Sequence, residues 1–356
     1  MTMTGQVSAA LGAEALLATF QSELAPVLER LLALEDEQPI DSRWSQVLKE
    51  LRSYALRPGK RVRPVLLVAG WSLAGGELAR GVPSGLKEFA AGLELLHTFM
   101  LVHDDVADRA ATRRAGPALH KALGPGRHGE DVAVVAGDHL FARAVETLLG
   151  SGLPHAARAT KYLMAICRHT AAGQALDLAL CLAPLDEVSL FQTLKVATLK
   201  TAKYGFVAPL VAGAMLGGAS EALLGGLERV GRQGGLAFQL RDDLLGLFGD
   251  DAVAGKDGGG DYHEGKRTFP LIAAWTRADA PGRAALERVW SGQPKTPAGL
   301  VEARALIERW GGRAATQRVV DRLTRGARRS LASLPSGGGT RAVLDALMAR
   351  LARRAS

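Results

Sequence analysis

Three carboxylates close an apolar stretch of the chain, in the run HDDVAD at residues 103–108. Carboxylates this close repel one another and are disfavoured near the C-terminus of a helix, so a cation must compensate for them. Asp104 and Asp108 share one helix face, whereas Asp105 points about 100° away. Two carboxylates on one face suit Mg²⁺, which keeps its other positions for water and phosphate oxygens. The alternative is a solvated acidic helix end, whose counterions would be the arginines Arg109, Arg113 and Arg114.

A second acidic pair, Asp242 and Asp243, follows another apolar run, FQLRDDLLG at residues 238–246. Metal sites in helical bundles are built from side chains on facing helices, so the two pairs could face each other across a bundle cavity. The sequence has no His or Cys at zinc-site spacing, so the ligands would all be oxygen atoms, as hard cations prefer.

Cations lie close to both acidic pairs. The segment PGKRVRP at residues 58–64 places three of them just after a turn at a predicted helix start, which is a favourable site for an anion. A lone cation is normally a solvated side chain, but repeated pairing with acids is better explained by a metal plus a diphosphate, whose remaining oxygens the cations hold. The other cations of this kind are Arg113, Arg114, Lys200, Lys256, Lys266 and Arg267.

Helical periodicity dominates the elements that must position these groups, and no segment shows convincing strand alternation. Alanine and leucine are abundant, which favours helices. Ser84 is a good candidate N-cap. The sequence predicts one all-α domain over residues 11–356, a single-domain helical bundle, preceded by a disordered tail at residues 1–10. The predicted helices cover residues 13–34, 84–108, 130–149, 155–182, 187–217 and 220–248.

Composition excludes several classes of protein. The 356 residues are 47% hydrophobic and 22% charged, which excludes an intrinsically disordered chain. No stretch approaches the ~20 apolar residues of a membrane span, and the N-terminus does not resemble a secretory signal, so we expect a cytoplasmic protein. Cys167 and Cys181 are expected to be buried free thiols. The net charge of +8 suits anionic partners, but the few aromatic residues weaken a nucleic-acid interpretation.

The ordered set of motifs resembles the trans-isoprenyl diphosphate synthases, the family of farnesyl and geranylgeranyl diphosphate synthases, from residue 16 to residue 350. The family has an all-α bundle around a deep central cavity, the isoprenoid synthase type I fold, and is usually homodimeric. The matching motifs are GKRVRP at 59–64, ELLHTFMLVHDDVADRAATRRAGP at 94–117, GD at 137–138, GQALD at 173–177, KTA at 200–202, FQLRDDLLG at 238–246 and GKDGGGDYHEGKRT at 255–268.

The resemblance implies a Mg²⁺-dependent head-to-tail condensation of isopentenyl diphosphate with dimethylallyl, geranyl or farnesyl diphosphate, with three Mg²⁺ ions per active site when diphosphate is bound. It also implies a role for each matching residue. The metal ligands would be Asp104, Asp108, Asp177 and Asp242, supported by Asp105 and Asp243. The isopentenyl diphosphate site would comprise Lys60, Arg63, His97 and Arg114. The allylic diphosphate site would comprise Arg113, Lys200, Lys256 and Lys266, with Thr201 and Gln239 facing the developing carbocation.

Two departures from the family pattern bear on this interpretation. In the second motif Gly246 replaces a third acid, so metal binding there rests on Asp242 and Asp243. The first motif has no insertion between its acid pairs, and it is preceded by one aromatic residue, Phe99, and by Met100. Both are expected to face the way the metal ligands face and to limit the length of the product. This pattern resembles synthases of the twenty-carbon (C20) product, geranylgeranyl diphosphate, with fifteen-carbon (C15) farnesyl diphosphate as the alternative.

Three other functions remain open from the sequence. A class I terpene cyclase shares the fold and the first acidic motif, but it does not need GKRVRP with His97 for a second diphosphate, and it usually carries an Asn/Ser/Glu metal motif in place of DDLLG. A non-catalytic partner subunit tends to lose an acidic motif, and both are present here. A helical nucleic-acid-binding protein is supported only by the basic charge.

Overall fold

The computed structural model describes residues 19–33, 40–59, 61–249, 259–334, 341, 344 and 345. The predicted tail at residues 1–10 and the side chains of Lys60 and Lys256 lie outside the described residues. Helices dominate the described chain, so the predicted all-α fold class is confirmed. None of the described helices is long and apolar enough to span a membrane.

The chain divides into two compact units, and the prediction of one domain stays a prediction. The first unit draws on Met1–Tyr162, Ala212–Ser220 and Gly337–Val343, and the second on Leu163–Val211, Glu221–Ser336 and Leu344–Ser356. The elements before residue 151 are α1 (19–31), α2 (Ser42–Leu56), α3 (Val62–Leu73), a 3-10 turn (Leu78–Arg80), α4 (Ser84–Ala107), β1 (Thr112–Arg113), β2 (Gly116–Pro117), α5 (Leu119–Leu123) and α6 (Gly126–Gly150).

The later elements include a π-helix at Ala197–Val207. Helices α7 and α9 contribute residues to both units. The remaining elements are α7 (Ala156–Leu182), a 3-10 turn (Leu185–Glu187), α8 (Leu190–Val196), α9 (Ala208–Leu216), α10 (Glu221–Phe248), α11 (Gly260–His263), α12 (Phe269–Arg277), α13 (Ala280–Ser291), α14 (Pro297–Arg309) and α15 (Gly312–Ala332).

Helix α4 is the central helix of the first unit and carries the first acidic motif. Phe89 and all of its leucines except Leu101 are buried. The helix packs mainly on α6, where Gly92 lets the α4 backbone approach Leu148 closely. Ser84 is the first helical residue and Pro83 occupies the N-cap position, so the predicted serine cap is wrong. The extended backbone of Pro83 ends the preceding loop, and no side chain caps the helix there.

A two-residue antiparallel hairpin, β1–β2, follows the first acidic motif and corrects the prediction of no strands. Arg113 pairs with Gly116, and the intervening residues Arg114 and Ala115 both have positive φ angles, of 50° and 57°. Two consecutive positive φ angles are typical of the tightest hairpin turns, which usually use Asn-Gly or Asp-Gly. The strands are too short for period-two alternation and the turn carries neither dipeptide, so no sequence pattern predicts this hairpin.

The segment predicted as one helix over residues 187–217 is three consecutive elements. Ser189 caps α8 through a capping box with Gln192, and α8 runs into the eleven-residue π-helix, which runs into α9. In the second unit, α10 packs on both the π-helix and α15. Cys167 and Cys181 do not form a disulfide, and both are half-buried rather than buried. Burial raises the pKa of Cys167 to about 12.

Candidate active site

The first acidic motif lies in the last turn of α4 and presents its carboxylates on two sides of the helix. Asp104 and Asp108 are half-buried, whereas Asp105 is fully buried. This difference follows from helix geometry, because residues four apart share a face and the next residue is rotated by about 100°. Asp104 and Asp108 are therefore placed together, away from the environment of Asp105.

Asp105 is held by partners from two other elements. The Tyr54 hydroxyl on α2 donates to Oδ2 of Asp105 over 2.7 Å, and Nε of Arg113 donates to Oδ1 over 2.7 Å. Burial, followed by the charge of Asp105, raises the pKa of Tyr54 well above its usual value, so its hydroxyl keeps the proton that it donates. Arg113, which the family resemblance assigns to the allylic diphosphate, is thus ion-paired with Asp105 in this structure.

A group of cations surrounds His97 on α4. Burial, followed by the charges of Arg63 and Arg114, lowers the pKa of His97 well below its usual value, so its imidazole is neutral. Both Arg61 and Arg114 form ion pairs with the buried carboxylate of Glu94, one helical turn before His97. Here the structure brings together His97, Arg63 and Arg114, three residues predicted to bind the isopentenyl diphosphate head.

The second acidic motif occupies the last turns of α10. Asp242 is exposed, and Asp243 is buried and accepts a 2.8 Å hydrogen bond from Nε2 of Gln239. The Thr201 hydroxyl donates to Oε1 of the same amide over 2.5 Å. Thr201, Gln239 and Asp243 therefore form one chain of hydrogen bonds, which joins two residues predicted to face the carbocation.

Asp261 occupies space beside Gly246, where the family pattern has a third acid. A Cβ added at Gly246 would lie 3.1 Å from Oδ2 of Asp261. Burial raises the pKa of Asp261 to about 6, Lys266 opposes this shift, and Asp242 adds to it. Burial, followed by the charge of Asp261, likewise raises the pKa of Asp243 well above its usual value. These carboxylates repel one another, so a bound cation would stabilise them.

Lys200 and Thr201 project from the π-helix at Ala197–Val207. Lys200 Nζ lies 3.1 Å from Oδ2 of Asp177 on α7. Glycines on two neighbouring helices allow the π-helix to approach closely: a Cβ at Gly173 would lie 2.8 Å from Cβ of Leu199, and a Cβ at Gly235 would lie 2.6 Å from Cα of Ala202. π-Helical turns occur often at functional sites, and this one carries two predicted site residues.

Phe99 and Met100, the two residues predicted to limit product length, point in different directions from α4. Met100, four residues before Asp104, is rotated from it by only about 40°, but Phe99 is rotated by about 140°. The Phe99 ring lies against the rings of His103 and Phe141, with centroids 4.6 and 5.1 Å away. The expectation that Phe99 shares the face of Asp104 is therefore wrong, and Met100 alone of the two shares it.

The acids fit a hard divalent cation in type and in charge. Among the described residues, no three acidic, histidine or cysteine side chains are gathered closely enough to hold a metal by themselves. Mg²⁺ does not need such a group, because it takes one or two protein carboxylates and fills its other positions with water and phosphate oxygens.

Sequence reasoning missed three residues of this region. Glu94 carries the signal of a lone acid in an apolar helix, one turn before a candidate histidine. Asp261 lies within the motif GKDGGGDYHEGKRT at residues 255–268, but no role was predicted for it. Tyr54 carried no signal, because its partner Asp105 is 51 residues away.

Comparison with known proteins gives concordant matches. The sequence matches the family described as polyprenyl synthetase over residues 45–307. It is 34% identical over 338 residues to a geranylgeranyl diphosphate synthase from Mycobacterium tuberculosis, covering 93% of this chain and 91% of the relative. It is 34% identical over 260 residues to a (2E,6E)-farnesyl diphosphate synthase from Mycobacterium bovis, covering 72% and 68%. A crystal structure of geranylgeranyl pyrophosphate synthase from Corynebacterium glutamicum, complexed with isoprenyl diphosphate and magnesium, matches with a TM-score of 0.83 and 30% identity, covering 96% and 98%.

Proposed function

This chain belongs to the polyprenyl synthetase family, and we propose that within it the enzyme makes the C20 product geranylgeranyl diphosphate, with C15 farnesyl diphosphate as the second candidate. It is a prenyltransferase with the all-α isoprenoid synthase fold, as its sequence predicted. The finer assignments of substrate sites, metal ligands and product length are proposals. Cytoplasmic location, homodimerisation and the count of three Mg²⁺ ions stay predictions.

The observation that supports two diphosphate substrates is the presence of two separate sets of acids and cations. In the first unit, Arg63 and Arg114 lie around the neutral His97. In the second unit, Lys200 lies beside Asp177 and Lys266 near Asp261. A terpene cyclase binds a single diphosphate and has no use for the first set. Two sets therefore favour a synthase that joins two diphosphates.

The proposed metal ligands are Asp104, Asp108, Asp177 and Asp242. When bound, Mg²⁺ would neutralise the allylic diphosphate and make it a better leaving group. In the present structure Asp177 is neutralised by Lys200 instead. We propose that Lys200 turns to the phosphate oxygens once the cation takes over the carboxylate, because a guanidinium or ammonium group and a metal together share the charge of a diphosphate.

Each remaining site residue has a defined task in this proposal. Arg63, His97 and Arg114, with Lys60, orient the isopentenyl diphosphate. The allylic diphosphate is bound by Arg113, Lys200, Lys256 and Lys266. Asp105 and Asp243 act indirectly, the first by fixing Arg113 and the second by fixing the Gln239 amide. The oxygens of Thr201 and Gln239 stabilise the carbocation that forms when the C–O bond breaks.

Product length is proposed to depend on Met100, since this side chain shares the face of Asp104 and the growing chain must run from the diphosphate along α4. A flexible methionine at this position leaves more room than an aromatic ring. The aromatic pair of Phe99 and Phe141 lies to the side and would limit a chain that bends toward α6. This arrangement favours C20 over C15.

The test is product analysis of the purified enzyme with isopentenyl diphosphate and, in turn, dimethylallyl, geranyl and farnesyl diphosphate, with and without Mg²⁺. We expect a C20 diphosphate and no turnover in EDTA. A C15 end product would favour the second candidate. A cyclic hydrocarbon formed from the allylic substrate alone would identify a cyclase, and the absence of any turnover with Mg²⁺ would favour a non-catalytic subunit.

A further inference from the structure

The side chain of Glu94 is a buried carboxylate within the mostly apolar helix α4. Glu94 is 2% exposed, and the adjoining residues Leu93 and Leu95 are buried as well. A buried charge is tolerated only when it is paired. The partners of Glu94 are two arginines from different segments: Arg61, just before α3, and Arg114, in the turn of the β1–β2 hairpin.

We propose that Glu94 is a positioning residue that holds Arg114 at the isopentenyl diphosphate site, with Arg61 as the counterion that keeps it anionic. This inference rests on the proposed function, because it assigns Arg114 to that substrate. Glu94 does not touch the substrate in this scheme and acts through Arg114.

Arg61 and Arg114 differ in the hydrogen bonds that their guanidinium groups make. The Nη1 atom of Arg61 is paired with Glu94, and its Nη2 atom donates to the carbonyl oxygens of Ala55 and Arg57 over 3.3 and 3.4 Å. Arg114, by contrast, directs Nη2 to Glu94 over 3.3 Å. A guanidinium has five N–H donors. Arg61 is thus engaged through both of its terminal nitrogens, whereas Arg114 uses only Nη2 toward the described residues and has its other donors to offer to phosphate oxygens.

The backbone around Arg114 explains why a buried anion is needed to place it. Arg61 and Arg114 have φ angles of 45° and 50°, in the left-handed region that residues other than glycine rarely adopt. Such conformations persist only where the surroundings fix them. Gly59 contributes to this, because a Cβ there would lie 3.0 Å from Cζ of Arg114. Arg57 also fixes the hairpin by donating to the carbonyl oxygen of Pro117 over 2.6 Å.

The positive charges around His97 also require a nearby anion. Arg63 and Arg114 both lie close enough to His97 to lower its pKa, so the cations crowd one side of α4 before any substrate binds. Without the carboxylate of Glu94, mutual repulsion would drive Arg61 and Arg114 apart. With it, the Arg114 guanidinium is already in place when an anionic substrate arrives, and less conformational entropy is lost on binding.

The experiment compares Glu94→Gln and Glu94→Asp with a control on the same helix, Glu88→Gln, whose carboxylate pairs with Arg30 at the surface. We expect Glu94→Gln to raise the KM for isopentenyl diphosphate about tenfold or more, as for the loss of a charge-assisted hydrogen bond. The KM for the allylic diphosphate should stay unchanged. Glu94→Asp, which keeps the charge on a shorter side chain, should show an intermediate rise, and Glu88→Gln should match the wild type.

Arg114→Gln, measured in the same assay, separates this inference from the proposed function. If it leaves the KM for isopentenyl diphosphate unchanged, Arg114 does not bind that substrate, and the proposed positioning role of Glu94 is wrong as well. If it raises that KM while the folded Glu94 variants behave as the wild type, the positioning role alone is wrong. Equal rises in KM for both substrates in the Glu94 variants would show a merely structural role and overturn the inference. Should Glu94→Gln fail to fold, Glu94→Asp decides by the same criteria.

Discussion

The close approach of the π-helix to α7 can be tested at Gly173, where the missing side chain leaves room for the backbone that carries Lys200. A Cβ at residue 173 would lie 2.8 Å from Cβ of Leu199 and 3.0 Å from the amide nitrogen of Lys200. Carbon atoms pack favourably at about 3.5–4.0 Å, so Gly173→Ala requires the two helices to separate by up to about 1 Å.

The expected magnitude follows from two opposing effects. Inserting a methyl group into a packed site costs about 1–3 kcal/mol. Replacing glycine by alanine inside a helix gains about 0.5–1 kcal/mol. We therefore expect Gly173→Ala to lower the free energy of unfolding by up to about 2.5 kcal/mol. Since a shift of about 1 Å at a reacting group can lower turnover up to about 100-fold, kcat should fall more steeply than stability alone would suggest.

A matched control is Gly225→Ala in α10. Among the described residues, a Cβ there meets only Nη1 of Arg229, at an ordinary contact distance of 3.8 Å. This variant should gain the full helix-propensity term of about 0.5–1 kcal/mol and keep the wild-type kcat. The assays are urea unfolding followed by circular dichroism and steady-state turnover with saturating substrates. If Gly173→Ala is as stable and as active as Gly225→Ala, the close approach does not position Lys200 and the argument is refuted.

Three further predictions concern the metal, the product and the core of the first unit. Asp104→Asn and Asp242→Asn should each lower kcat by orders of magnitude and leave the helical circular-dichroism signal intact, and near-normal turnover in both would contradict the metal assignment. Met100→Phe should shift the chromatographed product from C20 to C15; if only Phe99→Ala changes the product length, the growing chain reaches the aromatic pair instead. Tyr54→Phe should lower the free energy of unfolding by about 1–3 kcal/mol, because a buried carboxylate loses a donor, and a wild-type urea midpoint would disprove this.

Much of the candidate site was predictable because helical spacing is a local property. Asp104 and Asp108 share a face, and Asp105 does not, whatever the rest of the chain does. The buried environment of Asp105 and the half-buried environments of the other two acids follow this geometry. The same geometry places Met100 beside Asp104 and turns Phe99 away, although the sequence-based expectation put both on one face. Phe99 lies five residues before Asp104, which is well over one helical turn, so the two side chains do not share a face.

The motifs themselves determined the family, because their order along the chain is specific even where each motif alone is modest. Helical periodicity also predicted the all-α fold class, and helices such as α7 and α10 begin and end within a residue or two of their predicted bounds. The hairpin at Thr112–Pro117 escaped prediction because two-residue strands have no periodicity to detect.

The sequence by itself determined which acids and cations exist and which of them share a helix face. Only the tertiary structure decided which acid each cation meets: Arg113 meets Asp105, Arg114 meets Glu94, and Lys200 meets Asp177. It also decided that residues 197–207 form a π-helix, at the point where glycines of α7 and α10 allow neighbouring backbones to approach. The physical reason is that helix faces depend on the spacing of neighbours in the chain. The partners of a buried charge, and the hydrogen-bond register of a π-helix, depend instead on packing between segments far apart in sequence.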